Sequence, residues 1–158
     1  MSRIMVVGYG NPLRSDDGFG WRATEELQQI IPGKDVEFVE CQQLAPELAQ
    51  KIAEKELVIF IDADSNGVAG EVHCYPVSAP KKDATVTMTH HLDPCALLGL
   101  ARQLYGKVPE ALVVSVTGEC FGYGKQLSEP VASSLPGVVR HLATVIHEKS
   151  RTHELVHA

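Results

Sequence analysis

Two short stretches of this chain bring carboxylates together, and paired carboxylates can hold a cation or transfer protons during catalysis. The first, residues 8–20, places Asp16 and Asp17 side by side in a glycine-rich loop. A helix cap needs only one short acceptor, so the second carboxylate exceeds what capping requires. The loop opens like a dinucleotide fingerprint, but Leu13 stands where the third glycine is needed and the acidic pair would repel a pyrophosphate. The stretch therefore favours a cation or a polar substrate, with helix capping as the alternative.

The second stretch is Ile61-Asp62-Ala63-Asp64, which ends a continuous apolar run. A carboxylate so close to a buried strand is costly unless it is paired, hydrogen-bonded or bound to metal. Asp62 is nearer the apolar run and is the stronger candidate, whereas Asp64 is also compatible with a surface carboxylate that caps a turn. The same pattern is typical of phosphate-transferring hydrolases with an aspartate nucleophile, but the lysine and the late acidic motif of those enzymes have no clear counterpart here.

Two adjacent histidines, His90 and His91, precede a segment with helical spacing. A single histidine is more often a structural hydrogen-bonding residue than a ligand. A pair beside carboxylates favours a mixed nitrogen and oxygen site, which suits nickel, zinc, iron or manganese better than magnesium or calcium. The chain contains neither a Gly-x-Ser-x-Gly nucleophile motif nor a His-Glu-x-x-His zinc motif.

Strand and helix patterns alternate along the chain. The strand patterns cover residues 3–8, 35–41, 57–61, 71–77 and 111–117, and the last but one is compatible with an edge strand. The helical patterns contain Trp21, Leu44 and Leu97 and resume after Ser128, where Pro136 predicts a kink or a break. Such alternation predicts a single α/β domain with a mostly parallel twisted sheet and helices on both faces. We assign this domain to residues 1–150 and a polar C-terminal tail to residues 151–158.

The candidate residues all lie in loops that follow predicted strands or precede a helix. In open α/β sheets, ligands bind outside the carboxyl ends of the strands. We therefore expect one crevice to be shared by residues 9–18, residues 62–67, the segment around His90 and the glycine- and aromatic-rich segment 118–127. For the last of these, a cleft wall and a loop without a role are equally compatible with the composition.

Composition limits the classes of partner. The chain has 158 residues and a formal net charge of −6, which disfavours a nucleic-acid or anionic-membrane partner, since both usually require a basic face. No signal peptide or membrane-spanning apolar stretch is evident, so a cytoplasmic location is expected. The four cysteines are far apart in sequence and are expected to be buried thiols rather than disulfides.

Taken in order, these motifs resemble the hydrogenase maturation endopeptidases, which trim the carboxyl terminus of the large subunit of nickel-iron hydrogenases. The resemblance extends to about residue 146. It rests on a Gly-Asn-x-Leu-x-x-Asp-Asp-Gly-x-Gly signature and on four weaker matches that follow in the family's order. The signature occupies residues 10–20, and the weaker matches are 43–48, 61–63, Thr89-His90 with Leu97-Leu98, and 118–128.

The resemblance implies a site and a mechanism. The family's three metal ligands fall on Asp17, Asp62 and His90, or on His91 after a one-residue slip, and the alignment of Leu97 and Leu98 favours His90. The implied metal is nickel, presented by the large-subunit precursor. The implied reaction is cleavage of one peptide bond near the last metal-binding cysteine of that precursor, once nickel has been inserted. Asp17 or Asp62 could polarise the attacking water, or the metal could supply hydroxide.

Two other functions remain as alternatives. One is a metal-assisted hydrolase or phosphatase that uses Asp62 and Asp64. The other is a chaperone without catalytic activity that senses nickel in a client protein and then releases it. A protease shortens its client and a chaperone does not, so the intact mass of the client distinguishes the two.

Overall fold

The structure is a computed structural model that describes residues 2–32, 34–81 and 92–157, and within these the side chains of 153–157 are not described. Five strands form one sheet: β1 (Ile4–Tyr9), β2 (Val36–Cys41), β3 (Leu57–Asp64), β4 (Val72–Pro76) and β5 (Glu110–Thr117). The helices are α1 (Phe19–Ile30), α2 (Leu48–Ala53), α3 (Pro94–Tyr105) and α4 (Glu129–His157), and a 3-10 turn, Ser15–Gly18, precedes α1.

The strand order in the sheet is β2-β1-β3-β5-β4. β1, β2, β3 and β5 are parallel, and β4 pairs antiparallel with β5 at the edge. The chain moves outward from β1 to β2 and then returns to place β3 on the other side of β1. The point between β1 and β3 is therefore the topological switch point, where a crevice opens beyond the carboxyl ends of the strands.

Each face of the sheet carries its own hydrophobic core. On one face α1 and α4 cover side chains such as Ile59 and Ile61 of β3. On the other face α2 and α3 cover Val58 and Phe60. Because successive residues of a strand point to opposite faces, Asp62 follows Phe60 onto the α2 and α3 face.

The single-domain, mostly parallel α/β architecture predicted from the sequence is confirmed. Helix α3 begins and ends where its signals predicted, since Asp93 caps Ala96 N at 2.8 Å and Gly106 ends the helix in a left-handed conformation. Helix α2 begins at Leu48 rather than near Leu44, although Leu44 is buried in the turn before it. Of the two outcomes predicted at Pro136, the break is wrong, because α4 runs through it, and the kink stays a prediction.

The division into a domain and a tail stays a prediction, and α4 continues from the one into the other. All four cysteines are free thiols, but the expectation that they are buried is wrong: Cys74 and Cys120 are exposed, and Cys41 and Cys95 are half-buried. No helix in the described part of the chain is long and apolar enough to cross a membrane.

Candidate active site

Asp17 and Asp62 line the same cleft at the switch point of the sheet. Asp62 lies near the carboxyl end of β3, and Asp17 lies in the turn that follows β1. The cleft has a volume of about 370 Å³, and its other walls come from the turn after β2 and the start of α3. The lining residues are Tyr9, Gly10, Asp17, Gln42, Gln43, Leu44, Asp62, Ala63, Leu92 and Asp93. None of these described residues is basic, so this lining is suited to a cation or to a positively charged group.

The Asp62 carboxylate is held by one of its oxygens only. The Tyr9 hydroxyl donates a hydrogen bond to Oδ2 at 2.9 Å. The other oxygen, Oδ1, is buried and has no hydrogen-bond partner among the described residues. Burial raises the pKa of Asp62; the hydroxyls of Tyr9 and Ser115 oppose this increase, and the negative charges of Asp64 and Asp17 add to it. A buried acceptor without a donor is costly, and in a native protein it commonly marks a site that a ligand or ion completes.

Asp17 is positioned by the backbone of its own loop. Its Oδ2 accepts a hydrogen bond from Asn11 N at 2.7 Å. Gly10, with φ +135°, lies against the Asp17 backbone, so a side chain at position 10 would meet that backbone and would also be strained. The glycine is therefore required for Asp17 to lie this close to the end of β1.

Asp16, the neighbour of Asp17, has a different role. Its side chain is 0% exposed and accepts four hydrogen bonds at 2.7–2.9 Å, from Glu119 N, Cys120 N, Ser128 N and Ser128 Oγ. Burial alone would raise the pKa of Asp16, but these hydrogen bonds lower it below its ordinary value. Asp16 therefore fastens the segment 118–128 to the loop that carries Asp17.

The segment 118–128 supports the site and does not line the cleft. Besides the Asp16 contacts, Ser15 N donates to Gly124 O and Ser15 Oγ donates to Gly122 O, both at 2.8 Å. Arg14 and Gly124 form an isolated β-bridge. The expectation that this segment shares the crevice is thus corrected: its backbone is used to hold the Asp17 loop in place.

A close backbone contact fixes the position of the Asp17 loop relative to the sheet. Gly20, in the first turn of α1, lies over Tyr9 and over the carbonyl of Ile61, and a Cβ at position 20 would be 2.8 Å from Tyr9 N. Helix α1 therefore rests directly on the backbone of β1 and β3. This contact fixes the loop that carries Asp17 relative to the strand that carries Asp62.

His90 and His91 lie outside the described residues, so the choice between them as third ligand stays a prediction. Among the side chains of residues 2–32, 34–81 and 92–152, no three histidines, cysteines, aspartates or glutamates are grouped so that they could hold a metal ion. The two cleft carboxylates alone form an incomplete set of ligands. Their charges and the unpartnered Oδ1 of Asp62 nevertheless suit a divalent cation that arrives with other ligands of its own.

Asp64, the second residue of the Asp-x-Asp pattern, has both oxygens engaged. Oδ1 accepts from Asn66 N at 3.1 Å, and Oδ2 accepts from Ser115 Oγ at 2.8 Å. Asp64 thus closes a turn and ties β3 to β5. No observation here supports a phosphatase mechanism that requires Asp64 to contact a substrate.

Sequence reasoning missed two contributions to the cleft. Tyr9 faces Asp62 because Gly8 and Ile61 are register partners in β1 and β3, so the next residues along lie side by side. Gln42 and Gln43 enter the cleft because they follow β2, whose carboxyl end meets the same edge of the sheet. Strand order was the missing information, since only the placement of β1 between β2 and β3 brings these residues together.

The fold is that of a known group of enzymes. The hydrogenase maturating endopeptidase HybD from Escherichia coli superimposes with a TM-score of 0.72 over 93% of this chain and 93% of that one, at 24% sequence identity. The nickel-iron hydrogenase maturation protease HycI from Thermococcus kodakarensis KOD1 gives the same TM-score and identity, over 92% of this chain and 93% of its own. A hydrogenase 2 maturation peptidase from a Thaumarchaeota archaeon gives 0.71 at 24% identity, over 92% and 99%. This chain has the hydrogenase maturation endopeptidase fold.

No protein-family model matches the chain, and no curated protein sequence matches it. At 24% identity the structural likeness establishes the maturation endopeptidase fold along nearly the whole chain, and the activity has to be argued from the site.

Proposed function

We propose that this protein is an endopeptidase that removes the C-terminal extension of a nickel-iron hydrogenase large-subunit precursor after nickel has been inserted. The observation that carries the proposal is the cleft with Asp17 and Asp62, in which Asp62 keeps a buried oxygen without a partner. The shared fold of the solved maturation endopeptidases supports it, as does the signature in residues 10–20.

In this proposal nickel belongs to the substrate and arrives bound to the precursor. Asp62 Oδ1 and the Asp17 carboxylate, with His90 as the third ligand, extend its coordination sphere. Two carboxylates and one imidazole lack the four-ligand closure of a structural metal site, so they bind free metal weakly. Binding becomes strong when the precursor's own ligands complete the sphere, because the two half-sites then act together.

The hydrolytic step has three possible routes. A carboxylate whose pKa burial has raised is a better proton acceptor near neutral pH, so Asp62 is suited to take a proton from the attacking water. Alternatively, Asp17 polarises the water, or the precursor's nickel does so as a Lewis acid. Each route uses an aspartate-lined cleft and requires no serine or cysteine nucleophile.

The proposed setting follows from the proposed substrate. We place the enzyme in the cytoplasm, where it acts without a nucleic-acid or membrane partner, in agreement with its net charge of −6. The client supplies the specificity checkpoint, because a precursor without nickel offers no anchor.

A processing assay with defined precursors tests the proposal. Purified protein should shorten a nickel-loaded precursor, seen as a loss of intact mass, and leave the nickel-free precursor uncut. Asp17→Ala should lose this activity and remain folded. His90→Ala and His91→Ala form a matched pair, of which only the first should abolish processing.

Two results would contradict the proposal. Correctly placed cleavage of metal-free precursor in the presence of chelator would remove nickel from the mechanism. A nickel-loaded precursor that binds but keeps its full mass would instead indicate a nickel-sensing chaperone.

A further inference from the structure

The contact between Tyr9 and Asp62 is built into the sheet. β1 and β3 are neighbours and parallel, and Val7 pairs with Phe60, so Tyr9 and Asp62 are the next residues on the same face. The Tyr9 hydroxyl reaches Asp62 Oδ2 at 2.9 Å. A hydrogen bond to an ionised carboxylate is among the stronger kinds in proteins.

The tyrosine is a rigid donor. Its side chain is half-buried and packs against the core formed by α2 and α3, and its backbone lies beneath Gly20. A phenol has only two side-chain torsions, so burial leaves it little freedom. The position of the hydroxyl is consequently determined by the sheet and by α1.

The hydrogen bond makes the two oxygens of Asp62 inequivalent. Oδ2 is occupied by Tyr9, and Oδ1 is buried, without a partner among the described residues, in a side chain that lines the cleft. Without the hydroxyl, the carboxylate could rotate about its terminal torsion, which is broad for aspartate, and offer either oxygen or both.

We propose that Tyr9 is a positioning residue that holds Oδ2 and so leaves Oδ1 as the single oxygen through which Asp62 contacts nickel or water. This inference rests on the proposed function, since it concerns how Asp62 meets the client's metal. Asp62 is then a one-oxygen ligand with a fixed direction. Groups that orient a metal ligand in this way commonly contribute about 10–100-fold to metal affinity or activity.

The test is Tyr9→Phe, which removes only the hydroxyl oxygen. Titration of the client-free protein with Ni²⁺, at protein and metal concentrations high enough to follow weak binding, should show an affinity about 10–100-fold lower than that of wild type. Processing of nickel-loaded precursor should fall within the same range. Tyr75→Phe is the matched control, because it removes a hydroxyl from the same face of the sheet that makes no hydrogen bond within the described part of the chain, and it should leave both values unchanged.

A double-mutant cycle separates positioning from general damage. If Tyr9 acts through Asp62, then Tyr9→Phe should change Ni²⁺ affinity by less than about twofold when Asp62 is already alanine. An equal loss in both backgrounds, or wild-type or tighter Ni²⁺ binding by Tyr9→Phe alone, would overturn the inference. If wild-type protein neither binds Ni²⁺ nor processes the precursor, the proposed function fails first. If wild type is active and Tyr9→Phe has the same Ni²⁺ affinity and processing activity, only the role of Tyr9 is refuted.

Discussion

Asp16, which is fully buried, and Asp62, which is half-buried, lie at the same edge of the sheet, yet their surroundings differ in almost every respect. Asp16 accepts four hydrogen bonds from the segment 118–128, three of them from backbone amides. Asp62 accepts one hydrogen bond, from a tyrosine, and has a buried oxygen with no partner among the described residues. The pKa of Asp16 is lowered by its donors, whereas burial raises that of Asp62.

The difference distinguishes a carboxylate that builds the site from one that works in it. A saturated acceptor stabilises its surroundings and has nothing left to offer a substrate. An undersaturated one costs stability in the free protein, and the cost is recovered when a ligand arrives. Stored cost of this kind is common at active sites, where function and stability compete for the same residues.

The largest expected effect is on processing by Asp62→Asn. The amide keeps an oxygen for Tyr9 but loses the charge, so processing of nickel-loaded precursor should fall about 100-fold or more. The pKa of Asp62 is raised in the folded state, so the protein loses stability as the pH rises above the pKa that Asp62 has in the unfolded state. Asparagine does not ionise and removes that loss. Urea denaturation at pH 7 should therefore show Asp62→Asn to be at least as stable as wild type.

A clear loss of stability in Asp62→Asn would break the comparison, because it would mean that Asp62 is as structural as Asp16. Asp64→Asn serves as the neighbouring control. Both oxygens of Asp64 are engaged in the turn and in β5, so its replacement should affect stability more than processing.

Asp16→Asn should show the opposite balance. Whichever way the amide turns, its nitrogen meets at least one backbone N–H that previously donated to Asp16. Loss of a charged, buried acceptor should lower the free energy of unfolding by about 3 kcal/mol. Urea denaturation measures this, with Asp93→Asn as control, since asparagine caps a helix about as well as aspartate. Wild-type stability in Asp16→Asn would show that the four hydrogen bonds contribute little.

The smallest effect is on the acid limb of the stability curve. Because the pKa of Asp16 is lowered in the folded state, its ionised form stabilises the protein above the unfolded pKa of about 4. This contribution is lost as pH falls through the folded pKa. The stability gap between wild type and Asp16→Asn should therefore narrow from pH 5 downward in urea titrations. If the difference in free energy of unfolding does not change with pH, the effect of Asp16→Asn is due to packing rather than to charge.

Much of the fold could be predicted because its signals are local. Asp93, Pro94 and Gly106 mark the ends of α3 through capping chemistry that acts within a few residues. Pro136 misled the prediction because burial outweighs propensity. Leu135 and Val138, on either side of it, are 5% and 4% exposed, and tertiary packing of such a face provides most of a helix's stability.

The candidate site was predictable in its charges and not in its contacts. Asp17 and Asp62 were identified from residue type and from their position after strands, and the structure places both at one cleft. The partners of Asp16 lie more than 100 residues away in sequence, so no local pattern could separate the role of Asp16 from that of Asp17. The hydrogen bond of Tyr9 depends on which strand lies beside β1, which the sequence did not reveal.

The contact of Gly20 with Tyr9 and Ile61 bears on how sequences with this architecture can diverge. The distance between the two cleft carboxylates is fixed by contacts between backbone segments and not by the packing of side chains. Apolar residues of either core can then be exchanged over evolutionary time with little effect on the spacing that catalysis needs. Position 20 itself has no such freedom, since even a methyl group would lift the helix and displace Asp17.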